Sequence, residues 1–158
     1  MSSPTSTASS TVDIKWVALP APLPSRDASF VARTATSALG LPCRRCLLDS
    51  LPGEDMVLLS YNPFPPSASD SPYHNKSPIF VHIKDCNRFD GRHLPQTQLN
   101  RMMSLRAYDE SNMMLDADVA DGKTVENVAR RLLADDRAKY VNVHNAKHGC
   151  YAVTVERA

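Results

Sequence analysis

Between Val143 and Tyr151 the chain reads VHNAKHGCY, which puts His144, Asn145, His148 and Cys150 within seven residues. An imidazole near a thiol raises the thiolate fraction, and a third polar group can orient the ring; that combination makes a cysteine nucleophile. The histidine can equally work alone as a general acid or base in a polar pocket. A cysteine flanked by Gly149 and Tyr-Ala-Val also suits a buried strand, so Cys150 is either a nucleophile or a packed thiol. Arg106, Tyr108 and Asp109 form a second cluster in SLRAYD. On a strand, Arg106 and Tyr108 share a face. Such a pair holds a carboxylate or enolate oxygen through charge-assisted and neutral hydrogen bonds. The structural alternative pairs Arg106 with a carboxylate such as Asp49 and leaves Tyr108 on the sheet. Arg44 and Asp49, in PCRRCLLD, carry the same two readings.

Cys43-x-x-Cys46 offers half of a zinc motif. With His144 and Cys150 it supplies the four N/S ligands that tetrahedral zinc requires. A second CxxC pair is missing, so the expectation is two unrelated thiols, no metal and no cofactor. The other cysteines are Cys86 and Cys150. Without a basic, apolar leader at the start, all four are expected as free thiols in a cytoplasmic protein. Neither a Walker loop, a dinucleotide fingerprint, HExxH nor GxSxG is present, and five glycines leave little material for a phosphate cradle. A formal charge of +1, spread among acids, gives no electrostatic reason for nucleic acid or an anionic membrane.

These groups need a scaffold, and 158 residues suffice for one core. Residues 1–11 are Ser/Thr-rich and read as a disordered tail, leaving 12–158 as one globular domain. Strands are expected at 12–19, 55–61 and 78–83, with a hairpin of 105–108 and 113–119 around Glu110–Ser111–Asn112. Two more, 140–143 and 151–155, flank the histidine turn. Ser25 can cap a short helix that includes Phe30, Val31 and Thr34, and Pro95 can open another running to Met102. The convincing helix runs from Val125 to about Asp135, with Val125, Val128, Ala129, Leu132 and Leu133 forming one stripe and Thr124 as cap. The long Pro/Ser-rich segment 62–76 reads as a functional loop. The sum is an α+β domain on a mainly antiparallel sheet of about six to eight strands, able to curl toward a barrel, with two or three short helices.

PCRRCLLD followed by Pro52-Gly53-Glu54, SPY at 71–73, SPIFVH at 77–82, LRAYD at 105–109 and the terminal VHNAKHGCYAVTVER together resemble the domain of unknown function 1203 family. The resemblance covers about Leu41 to Ala158. It implies fixed polar positions at Cys43, Arg44, Asp49, Tyr73, Arg106, Tyr108, Asp109, His144, Asn145, Gly149, Cys150 and Arg157. Cys46 is not among them, which weighs further against a CxxC metal site. The family brings no activity with it.

The expected function is a small, cofactor-independent enzyme of isomerase, cyclase or lyase type acting on a small organic acid or carbonyl compound. His144, Asp109 and Cys150 would be catalytic. Arg44, Arg106, Tyr108, Asn145 and Tyr73 would bind substrate. The alternative is a non-catalytic ligand-binding or interaction domain in which these side chains form a buried polar network.

Overall fold

The computed structural model describes residues 12–19, 31–36 and 40–158. Eight strands occur among them: β1 (Ile14–Val17), β2 (Val31–Thr34), β3 (Asp55–Tyr61), β4 (Ser77–His82), β5 (Met102–Tyr108), β6 (Met114–Asp121), β7 (Tyr140–Asn145) and β8 (Tyr151–Arg157). Helix α1 (Gln96–Leu99) is a single turn and α2 (Val125–Leu133) is the main helix. β1, β8, β7, β5 and β6 pair in that order in an antiparallel sheet, while β2, β3 and β4 make a second one. The α+β, mainly antiparallel expectation therefore holds. Both sheets are open in strand order, and no barrel forms among the described residues.

Alternation along β5, β7 and β8 divides the large sheet into two chemically different faces. Met103, Leu105, Ala107, Val141, Val143, Val153 and Val155 turn one way, with Trp16 of β1, and bury against Val125, Ala129, Leu132 and Leu133 of α2. That match of period-two strands to a helical stripe is the main core. Thr124 precedes α2 without capping it by its side chain; its hydroxyl donates to Asp121 O instead. Arg157 satisfies the carbonyl that ends α2 and two in the segment after it, donating to Leu133 O, Asp135 O and Ala138 O at 2.6–2.7 Å.

The smaller sheet builds a second core from Met56, Val57, Leu59, Ile79 and Val81, to which Tyr151 and Leu19 contribute from the large sheet's side. A hydrogen bond from Tyr151 N–H to Ser77 Oγ (2.8 Å) ties β8 to β4. The loop 62–76 runs on to the hairpin. Asn112, at φ 61°, donates to Ser67 Oγ and accepts from Tyr140 OH.

Three expectations need correction. Val31–Thr34 is a strand rather than helix, since β3 offers it a full edge from Asp55 to Leu58; Ser25 and Phe30 lie outside the described residues, as does the tail 1–11. The helix opening at Pro95 stops at Leu99, because Met102 pairs with Asp121 and already belongs to β5. Only α2 is a helix of more than one turn among the described residues.

Candidate functional site

The second face of the large sheet is polar. Ser104, Arg106 and Tyr108 of β5 stand opposite His144, Asn142 and Tyr140 of β7 respectively, and Asn142 stands opposite Thr154 of β8. Directly opposed residues point to the same side, so all of these project away from α2. A register shift between Val143 and His144 sets His144 against Tyr151 and skips Ala152. Such a bulge twists the strand locally and re-aims the side chain beside it.

A cavity of ≈ 220 Å³ opens on this face. Arg106, Tyr108, His144, Cys150 and Tyr73 line it, together with Lys76, Asn75, Ser77, His148 and Gly149, and Phe64, Pro78 and Met114 complete its wall. Two cations and two imidazoles contribute, and among the described residues no carboxylate does. Arg106 donates to Ser104 Oγ at 3.4 Å and has no carboxylate within salt-bridge distance among the described residues. Asp49 is instead held by Arg101 at 2.7 Å, which removes the pairing that would have made Arg106 structural. A larger cavity of ≈ 320 Å³ on the same face, near Tyr140 and Thr154, carries Glu156 and, among the described residues, no cation.

His144 is buried, and its Nδ1–H donates to Gly149 O at 2.9 Å. That bond leaves Nε2 as the lone-pair nitrogen. Nε2 is buried and has no hydrogen-bond partner among the described residues. Burial holds the pKa of His144 down at about 4; the Gly149 carbonyl opposes this, and the charges of Arg106 and Arg44 reinforce it. The ring is therefore neutral at physiological pH and offers an acceptor in a positive field. Tyr108 packs between Phe64, Tyr73 and Tyr140. Burial raises its hydroxyl pKa, while Arg106 pulls the other way. Tyr73 sits at the rim, edge-on to Tyr108 at 6.0 Å.

Three of the expected site residues lie elsewhere. Asp109 is in the hairpin turn, where its carboxylate accepts from Ser111 N and Met113 N; it makes no hydrogen bond to His144. Arg44 is buried behind the cavity and donates to Tyr151 O and Pro42 O, both at 2.7 Å. Burial lowers its pKa to about 10, so it remains a cation. Asn145 turns to the opposite face by alternation and lines a separate cavity of ≈ 270 Å³ with Arg101 and Lys147. Cys150 lines the main cavity, but its thiol contacts His148 O at 3.8 Å rather than an imidazole.

The family model described as "Protein of unknown function (DUF1203)" matches residues 40–157. The chain belongs to the DUF1203 family. No curated protein and no solved structure matches it. The matched span contains every residue of the cavity, and it also contains Arg157, which bonds the end of α2 from β8.

Several functional candidates escaped the sequence reading of this DUF1203 protein. Lys76 was concealed in a loop without periodicity. Asn142 sat in an apolar strand, yet it accepts from Thr154, whose own hydroxyl takes a hydrogen bond from Tyr151 OH. The thiols regroup as well. Cys43 and Cys46 meet His82 and Cys86, not His144 and Cys150. Interaction with the Cys46 thiol, helped by backbone N–H groups of Cys46, His82 and Arg45, holds Cys43 down at about 4, while the same partnership pushes Cys46 up. Burial raises Cys86. Alternating strand chemistry marks His82 only as a residue facing away from Ile79 and Val81, and Cys86 carries no motif at all.

Proposed function

We propose that the cavity binds a small organic anion and that His144 exchanges a proton with it. The observation that carries this reading is the pairing of Arg106, which lacks a carboxylate partner, with the unpartnered Nε2 of a neutral His144. A carboxylate or enolate oxygen on Arg106 and Lys76 would receive charge-assisted hydrogen bonds. Its negative charge would offset the two arginines that depress His144, so ligand entry itself would raise the affinity of Nε2 for a proton. The donors are already in place before the ligand arrives, which is the condition under which electrostatic stabilisation of a developing oxyanion is largest. An isomerase, cyclase or lyase that needs no cofactor can be built from such parts, since a positioned acid/base contributes about 10²–10⁴-fold. Cys150 at the cavity wall is available as a supporting thiol, and Gly149 O takes the orienting role once expected of Asp109. Exchange in deuterium oxide tests this directly. Incubation with a panel of small keto and hydroxy acids should label a carbon-bound position in at least one compound, and His144→Asn should abolish the labelling in a protein that still folds.

A second reading is favoured by one feature. The Tyr151–Thr154–Asn142 chain is a polar network of hydrogen-bonded side chains behind the cavity wall, and such networks can specify a core without chemistry. A ligand that raises Tm and emerges unlabelled would support a binding domain instead.

A further inference from the structure

Outside the cavity, three thiols and one imidazole gather tightly among the described residues. Cys43 and Cys46 come from the turn between Pro42 and Leu47, His82 ends β4, and Cys86 lies in the segment just after it. Their candidate donor atoms all lie within 4.8 Å of one another. Cys43 Sγ and Cys86 Sγ are 3.8 Å apart, and Cys46 Sγ and His82 Nδ1 are 3.6 Å apart. Zinc bonds of about 2.3 Å to sulfur and about 2.0–2.1 Å to nitrogen, set at tetrahedral angles, place two sulfurs about 3.8 Å apart and a sulfur about 3.6 Å from a nitrogen. Both edges agree. A disulfide needs sulfurs at about 2.05 Å, far closer than any pair here. We propose that Cys43, Cys46, His82 and Cys86 form a closed, structural zinc site.

The surroundings fit a metal in three further ways. His82 presents Nδ1 to the thiols and Nε2 to Glu54, whose Oε2 is 3.5 Å away. A carboxylate behind a histidine fixes its tautomer and raises its strength as a ligand. Three thiolates and one Zn²⁺ leave a net charge of −1, and Arg45 stands beside the cluster with a buried Nε that has no hydrogen-bond partner among the described residues. The turn itself is held in a demanding shape: Leu47, directly after Cys46, has φ 61° and donates to Cys43 O. A leucine in the left-handed region costs about 1–2 kcal/mol, and such conformations persist where the surroundings over-determine them.

The site belongs to the architecture rather than to the cavity chemistry. With four protein ligands no coordination position is left for substrate. Zinc would displace the thiol protons and fasten the Cys43–Cys46 turn to the end of β4. Between the two turn cysteines lies Arg44, whose guanidinium reaches Tyr151 O beside His144. The metal would thereby hold in place the start of β8, which stands directly opposite the candidate base.

The test uses the reduced full-length chain, equilibrated with zinc against a chromophoric chelator and, in parallel, with Co²⁺. The expected result is about one zinc retained per chain, together with the visible bands of tetrahedral cobalt and intense thiolate charge transfer. Alkylation of the native zinc-loaded protein should mark Cys150 alone, and chelation should open the remaining three thiols. Cys86→Ser should lose the metal while Cys150→Ser keeps it. Should Cys86→Ser fail to fold, the cobalt spectrum and alkylation pattern of the unmodified chain still decide. Loss of all zinc to the chelator, an octahedral cobalt spectrum, or a Cys43–Cys86 disulfide in the purified protein would overturn the proposal.

Discussion

Acid should destabilise this protein through His144, by an amount that can be worked out in advance. In the unfolded chain a histidine titrates near 6.5, whereas burial holds the folded ring at about 4. Because the folded pKa is the lower one, the unfolded state takes up a proton first as pH falls. Stability due to this residue is therefore complete above about pH 6.5, declines through the interval, and is lost below about pH 4. At 1.36 kcal/mol per pH unit the full loss is about 3 kcal/mol. Other groups titrate in the same range, so the quantity to measure is a difference. His144→Asn suits it, since the asparagine amide N–H can stand where Nδ1–H stands and keep the bond to Gly149 O. Urea unfolding of both proteins at several pH values from 7.5 to 4 should show the wild-type advantage shrinking by about 3 kcal/mol. Nitrogen chemical shifts of His144 would give the tautomer and pKa independently. A difference that stays constant with pH, or an imidazole titrating near 6.5, would refute both the burial argument and the neutral acceptor on which the proposed function rests.

Arg106→Ala should weaken a carboxylate ligand by about 10- to 100-fold, the loss of one charge-assisted contact, and should raise the pKa of His144 by removing a neighbouring cation; isothermal titration and NMR read the two effects. Gly122→Ala should cost at least about 2 kcal/mol in chemical denaturation, because a Cβ there would lie 2.5 Å from the backbone oxygens of Gln98 and Leu99, which cannot swing aside. Arg157→Ala should cost about 2–3 kcal/mol by leaving three carbonyls at and after the end of α2 without their charged donor, and Arg157→Lys should recover only part of it. Glu54→Gln should leave the fold intact and reduce zinc affinity by about 10-fold, measured by chelator competition.

The main helix, β3 and the hairpin were legible because each is specified locally. Val125, Ala129, Leu132 and Leu133 repeat at helical spacing, and their burial follows from it. β3 occupies the span read from Asp55 to Tyr61, and the hairpin turns where Asp109 and Asn112 favour a turn. Segment 31–34 was misread for the opposite reason. Its state is decided by the unpaired edge of β3, a partner more than twenty residues away. Propensity over four residues is too weak to compete with a row of sheet hydrogen bonds.

From the residues alone came the antiparallel α+β character, the family resemblance, and the concentration of chemistry in SLRAYD and the His144 turn. Only the tertiary structure decided which of those groups meet. Alternation in β7 sends His144 to the cavity and Asn145 away from it, and the extra residue of β8, Ala152, brings Tyr151 opposite His144. Asp49 chose Arg101, which left Arg106 without a carboxylate. Cys43 and Cys46 found His82 and Cys86, some forty residues onward, in place of the histidine and cysteine near the end of the chain. Sequence spacing governs which side of an element a side chain takes; which other element lies across from it depends on strand order and register, and these are settled by how the two hydrophobic cores close.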